Sequence, residues 1–252
     1  MIRAVLAVLA LVASAAPVSA QQTVQFFPRF DFHLTAERLS GDDRRFAWDA
    51  DFGGELDVID YGAGRLTFTT NYEVVMGSQL RRFDPNQGNY ILAGSASARV
   101  AQFEVAGMFY HQSRHLSDRP KTAAIDWNML GVQVRRDLAV GRSEWAARAD
   151  LRRVVQKSFV DYRWELDAEG RGRIPRRPGV GLISAAGVRV LGTDDTRERG
   201  TQAGFLAEAG VRFEGTAGAM EFFVAAERRI DPFPVEFGTV TWAKAGFRLL
   251  SH

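Results

Sequence analysis

Polar and apolar residues alternate along most of the chain. Phe46, Trp48, Ala50, Phe52, Gly54, Leu56 and Val58 share one parity, while Arg45, Asp49, Asp51, Glu55 and Asp57 share the other. Leu66, Phe68, Thr70, Tyr72, Val74 and Met76 repeat the pattern against Arg65, Thr67, Thr69, Asn71 and Glu73. A period of two is that of a strand with one apolar and one polar face, and no segment sustains the 3.6-residue period of a helix. Twelve such runs begin near Phe26, Arg45, Arg65, Asn89, Phe103, Ala124, Arg142, Asp161, Gly179, Thr201, Ala219 and Thr239. Their spacing of about 19 residues holds a strand of ~10 residues and a connection.

Alternation alone does not say which face is dry, because a soluble β-protein gives the same string. Three features favour lipid outside. The polar parity carries both charge signs, which suits a hydrated, ion-paired interior. Phe46, Trp48, Tyr90, Trp145, Tyr162 and Trp164 recur near strand ends on the apolar parity, as an interfacial girdle requires. Connections also alternate in length: 60–64, 100–102, 137–141 and 214–218 are short, whereas 76–88, 114–122, 192–200 and 230–238 are longer. Two break the rhythm: 170–178 reads long where a turn belongs, and 40–44 short where a loop belongs. The predicted fold is all-β, a closed antiparallel transmembrane barrel of about 12 strands, with short periplasmic turns and longer extracellular loops. Phe68, Phe205 and Phe222 should then face outward and Arg148, Glu165 and Glu208 inward.

The start of the chain fits export. Met1-Ile2-Arg3 is a positive n-region, 4–15 is apolar, and Val18-Ser19-Ala20 is a small-residue cleavage site. Residues 1–20 are therefore expected to be a cleaved signal peptide, too short for a spanning helix, and 21–252 a single barrel domain. Export and a barrel together predict the outer membrane. Outer-membrane lipids, lipopolysaccharide and the barrel insertion machinery are the expected partners. Lys and Arg number 32 against 30 Asp and Glu, so no basic footprint marks a nucleic-acid partner. The absence of Cys excludes disulfides, thiolate metal sites and a thiol nucleophile.

Candidate chemistry gathers where the fifth run ends and the sixth begins. His111-Gln112-Ser113-Arg114-His115 holds two of the four His, and Trp127-Asn128 follows. Parity places His111 and Ser113 on the outward face after Phe103, Val105, Gly107 and Phe109, and Asn128 outward with Leu130 and Val132. A Ser becomes a nucleophile beside a base, and the base needs a third group to fix its tautomer. His and Ser two apart lie ~6–7 Å apart along one strand face, which side chains can close.

These residues resemble the outer-membrane phospholipase A family, twelve-stranded barrels with a lipid-facing Ser-His-Asn site. They also resemble the lipid A deacylases, smaller barrels with His-x-Ser on a late strand. The resemblance implies a lipid acyl-ester hydrolase with Ser113 as nucleophile, His111 as base and Asn128 as its orienter. The phospholipase pattern reads His-x-Ser-Asn-Gly, then Trp-Asn. Here Arg114 and His115 replace Asn-Gly, and fifteen residues separate Ser113 from Asn128, more than in the family. Arg114, by its backbone N–H or its guanidinium, is the expected substitute for the oxyanion donor. Calcium enters only through this resemblance; the residues themselves imply no metal and no cofactor. The run His111-x-Ser113-x-His115-Leu116-x-Asp118 also resembles a motif of uncharacterised bacterial barrel proteins, from which no activity follows. A narrow pore and a non-catalytic structural or adhesive barrel remain open beside the hydrolase.

Arg99, Arg148, Arg152, Arg163, Arg189 and Arg212 lie on the lumen parity with Glu55, Glu73, Glu165 and Glu208. They are expected to pair across strands and fill a narrow interior. The charge runs 171–177 and 194–199 read as solvated or lipopolysaccharide-contacting, and Asp42-Asp43 as a solvated turn or a weak divalent-ion site.

Overall fold

A computed structural model describes residues 23–117, 119–120 and 123–251; the expected signal peptide and Asp118 lie outside the described residues. Twelve strands follow in order: β1 (Gln25–Leu39), β2 (Trp48–Asp60), β3 (Arg65–Gly77), β4 (Asp84–Val100), β5 (Phe103–His115), β6 (Asp126–Val140), β7 (Ser143–Ser158), β8 (Tyr162–Arg177), β9 (Val180–Thr193), β10 (Gln202–Glu214), β11 (Gly218–Ile230) and β12 (Thr239–Ser251). Each pairs antiparallel with its chain neighbours, and β1 pairs with β12 to close the barrel. That seam is short: β1 and β12 share seven residue pairs, His33↔Leu250 to Leu39↔Lys244, whereas β1 and β2 share twelve.

The alternation sorts as predicted. Phe68, Phe205 and Phe222 are 44%, 46% and 51% exposed, while Glu165 and Glu208 are buried and Arg148 lines the lumen. A soluble protein rarely shows an apolar patch beyond a few hundred Å². A closed ladder with an apolar outside instead satisfies its backbone in hydrocarbon. Connections at one end span 61–64, 101–102, 141–142, 178–179 and 215–217; those at the other span 40–47, 78–83, 116–125, 159–161, 194–201 and 231–238. We call these the turn end and the loop end.

The long connection expected over 170–178 is not one. β8 continues to Arg177, and the turn is Pro178-Gly179, with Gly179 in the left-handed region at φ 70°. Gly172 is an outward strand position paired with Trp145, and a Cβ there would lie 2.4 Å from the indole ring. Nor is 171–177 simply a solvated run. Arg173 bonds Glu144 (2.9 Å) and Glu214, and Arg171 lies 3.4 Å from Glu208. Two girdle residues are also corrected. Arg163 is unpaired in a bulge between Tyr162 and Trp164, which turns Tyr162 into the lumen and leaves Arg163 exposed rather than lumenal. Phe46 lies in the 40–47 connection, buried against Trp242 (ring centroids 5.2 Å). Asp43 binds the side chain of Arg45 (2.7 Å), which lowers its pKa from the ordinary value and occupies the carboxylate considered for a divalent ion.

The interior is held by charge. Arg135 of β6 reaches across the lumen to both oxygens of Glu55 on β2 (2.6 Å each). Arg229 of β11 reaches Asp49 on β2 (2.6 Å) and Glu73 on β3 (2.9 Å). Arg189 and Arg152 meet at Glu165, and Arg248 joins Glu208 and Glu221. Toward the loop end two apolar clusters lie beside these charges, one around Trp127, Met129, Tyr162 and Leu191 and the other around Leu39, Phe46, Val75 and Trp242. In the 194–201 loop, a hydrogen bond from Lys157 foremost, then those from the Thr196 hydroxyl (2.6 Å) and amide (3.1 Å), hold the Asp194 carboxyl well below the usual carboxylate range.

Candidate functional site

The β5–β6 register sets His111 opposite Asn128 and Ser113 opposite Asp126. Two pairs nearer the turn end, Phe109 and Leu130 are 45% and 48% exposed on the outward face. Parity carries His111, Ser113 and His115 of β5 and Asp126 and Asn128 of β6 onto that face at its loop end. The polar group thus sits above an apolar belt, where a polar side chain costs ~0–1 kcal/mol rather than the several it costs at the midplane.

His111 Nδ1 lies 2.7 Å from Asn128 Oδ1. An amide oxygen only accepts, so Nδ1 carries the proton, and the neutral ring keeps its lone pair on Nε2. Asn128 in turn donates through Nδ2 to Gln156 Oε1, and Gln156 Nε2 donates to Asp126 Oδ1 (3.3 Å). Gln156 reaches this row because Val155 is an extra residue in β7, opposite the Asn128–Met129 step. No feature of the sequence marked that bulge.

The Ser113 hydroxyl is 3.3 Å from Nε2 of His115, two residues on, and this is its described hydrogen bond. His115 was in the motif but not assigned a role; its signal was symmetry, since it stands as far after Ser113 as His111 stands before. Its ring meets the edge of Tyr90 (5.2 Å), and Tyr90 packs on Tyr72 (4.5 Å) and Tyr72 on Phe52 (5.4 Å). The register runs Phe52↔Tyr72↔Tyr90↔Ser113, so an aromatic row crosses three strands and ends at the serine.

Arg114 does not serve the outward face. Parity turns it into the lumen, where it is buried and donates to the carbonyls of Asp231 (2.7 Å) and Pro232 (3.2 Å) and to Gln87 and Asn89 (3.3 Å each). Its backbone N–H is bonded to the Ile125 carbonyl (2.8 Å). Neither donor expected for an oxyanion is free to meet one there. The calcium implied by the resemblance finds no matching donor set. Such a cation takes six to eight oxygens, and Asp126 is the one carboxylate in register with Ser113 among the described residues. No group of three or more His, Cys, Asp or Glu suited to a metal occurs among the described residues.

No family model matches the chain, and no curated protein matches it. Solved structures do. Outer membrane phospholipase A from Escherichia coli aligns with a TM-score of 0.55 at 12% identity, over 90% of this chain and 98% of that one. The Salmonella typhi outer membrane phospholipase dimer with bound calcium gives 0.55 at 12%, over 96% of each chain. LpxR from Salmonella typhimurium gives 0.50 at 8%, over 88% and 99%. The chain has the fold of the outer-membrane β-barrels.

Proposed function

We propose that this protein is an outer-membrane barrel that hydrolyses lipid acyl esters at its outward rim, with Ser113 as nucleophile. The observation that carries this reading is the contact of Ser113 Oγ with His115 Nε2, one step along the same face from a His111 ring fixed by Asn128. The Ser113 oxygen would attack the ester carbonyl carbon while its proton passes to imidazole. The ester C–O bond then breaks, the leaving alcohol takes that proton, and water returns the acyl group as a fatty acid. Outer-leaflet lipid is the substrate within reach of an outward site at this height. Phospholipids and lipid A, the substrate classes of the resembled families, are the ones to try. The outward amides of Asn128 and Gln156 are the side-chain donors in register to stabilise an oxyanion, in the place first given to Arg114.

The test is fatty-acid release by the refolded barrel from phospholipid and from lipid A in mixed micelles, with Ser113→Ala as control. Loss of about a millionfold, down to background, is expected for Ser113→Ala, as for other removed serine nucleophiles. Release that survives Ser113→Ala, or none from either lipid, defeats the proposal.

A further inference from the structure

The lumen carries a second arrangement that the rim chemistry does not use. Segment 231–238, between β11 and β12, turns into the loop-end mouth and is pinned there from several sides. Asp231 is buried, and its backbone is left-handed at φ 48°. Its carboxylate accepts from the Tyr162 hydroxyl (2.8 Å), Arg199 (2.7 Å) and the Gly238 amide (2.8 Å). The Pro232 carbonyl accepts from Gln87 (2.8 Å) and, with that of Asp231, from Arg114. Phe233 meets the edge of Phe46 (6.4 Å), and Phe237 stacks on Phe159 (5.8 Å) beneath the Arg197 guanidinium (3.9 Å). The donors come from β4, β5, β8 and the 194–201 loop, so one short connection is tied to the mouth around its rim.

Below this segment the barrel is hollow. One cavity of about 620 Å³ lies beneath segment 231–238, and a second of about 630 Å³ reaches the turns at Ala101 and Gln102. They meet at Glu55, Arg135, Arg148 and Glu169, which line both. Protein interiors serving only as a core close to crystal-like density, with few voids larger than a water molecule. This one does not.

The bridges across the hollow point to what passes. Arg135 on β6 crosses the lumen to Glu55 on β2, and Arg229 on β11 crosses to Asp49 on β2 and Glu73 on β3. A monovalent ion entering between such partners satisfies one and strands the other, and an uncompensated charge is costly. A zwitterion brings an ammonium and a carboxylate together and can take the place of each partner at once. We propose that the lumen is a passage for small zwitterionic solutes, and that segment 231–238 closes it at the loop end.

Proteoliposome swelling in isosmotic L-alanine and in erythritol tests this with the full chain. Wild type is compared with a variant in which 232–237 is replaced by two glycines, and with Arg114→Gln, which keeps the segment but removes its main donor. Resistance to SDS before heating shows that each barrel is folded. Because the chain has no Cys, the pair Phe46→Cys and Phe233→Cys gives a clean covalent lock.

Alanine entry through the shortened variant should exceed wild type by about tenfold or more, and erythritol entry by about threefold at most, because a neutral polyol can replace neither partner of a lumen ion pair. Arg114→Gln should fall between, and oxidising the Cys pair should hold entry at or below the wild-type rate until reductant is added. A folded, shortened barrel as slow as wild type overturns the passage. Equal acceleration of both solutes overturns the zwitterion assignment, and a wild type already as fast as the shortened variant overturns the closure.

Discussion

Along its length the barrel interior is held by charge, with Arg229 and Arg248 each joining carboxylates from more than one strand. Toward the loop end Trp127, Leu191, Val75 and Trp242 gather into apolar clusters set directly beside those charges, Val75 paired with Asp49 and Leu191 with Glu165. The two regions differ because a narrow β-barrel can fill its lumen either with ion pairs, which stay hydrated enough to tolerate hollows, or with side chains that exclude water.

The sharpest way to break that contrast is Arg229→Met, which strands Asp49 and Glu73. Removing one partner of a buried network costs about 3–5 kcal/mol, read from urea unfolding of vesicle-inserted barrel. A loss below ~1 kcal/mol would mean that the lumen around Arg229 is wet enough for its pairs to behave as surface pairs. Next comes Trp242→Ala in the apolar cluster, expected to cost about 3 kcal/mol through lost packing and a residual cavity. Phe222→Ala on the lipid face serves as its control and should cost clearly less, since lipid tails replace the lost contacts.

Asn128→Leu sharpens a different boundary, between rim and belt. It should change stability by no more than ~1 kcal/mol, because polar groups at this height cost little, yet it should depress hydrolysis by releasing the His111 ring. A large loss of stability would make the His111–Asn128 pair a structural device instead. The smallest effect expected is on the 194–201 loop. The Asp194 carboxyl is lowered in the folded state, so its contribution is complete above the ordinary Asp value of about 3.9. It is lost as pH falls further, through the lowered value. Limited acid proteolysis should therefore cut this loop in wild type only at markedly acid pH, and Lys157→Met, which removes the foremost cause of the shift, should move that onset upward.

Strand count, parity and the height of the candidate site were all legible in the sequence, because period two is a local property that one chain displays by itself. What stayed hidden was whatever depended on a single extra residue or on a loop's return. The Arg163 bulge inverted Tyr162, and the Val155 bulge brought Gln156 to Asn128; an alternation count passes over both. Phe46 looked like a girdle residue until its connection folded over the mouth. Arg114 looked like an oxyanion donor because it follows Ser113, yet adjacency in a strand means opposite faces. His115, two residues on, was the position that could share a face with the serine. That geometric rule was available from the start and would have separated the two.

The short seam between β1 and β12 has a mechanical meaning. Seven residue pairs close the cylinder there, and Gln25–Phe32 run beyond the register with β12. Force applied to the N-terminal end of β1 would peel that strand from one neighbour before loading the other. The barrel should then come apart like a zip from a fixed starting point. In single-molecule pulling, the first rupture should release one strand at low force, and each later step should draw out a hairpin's length of chain.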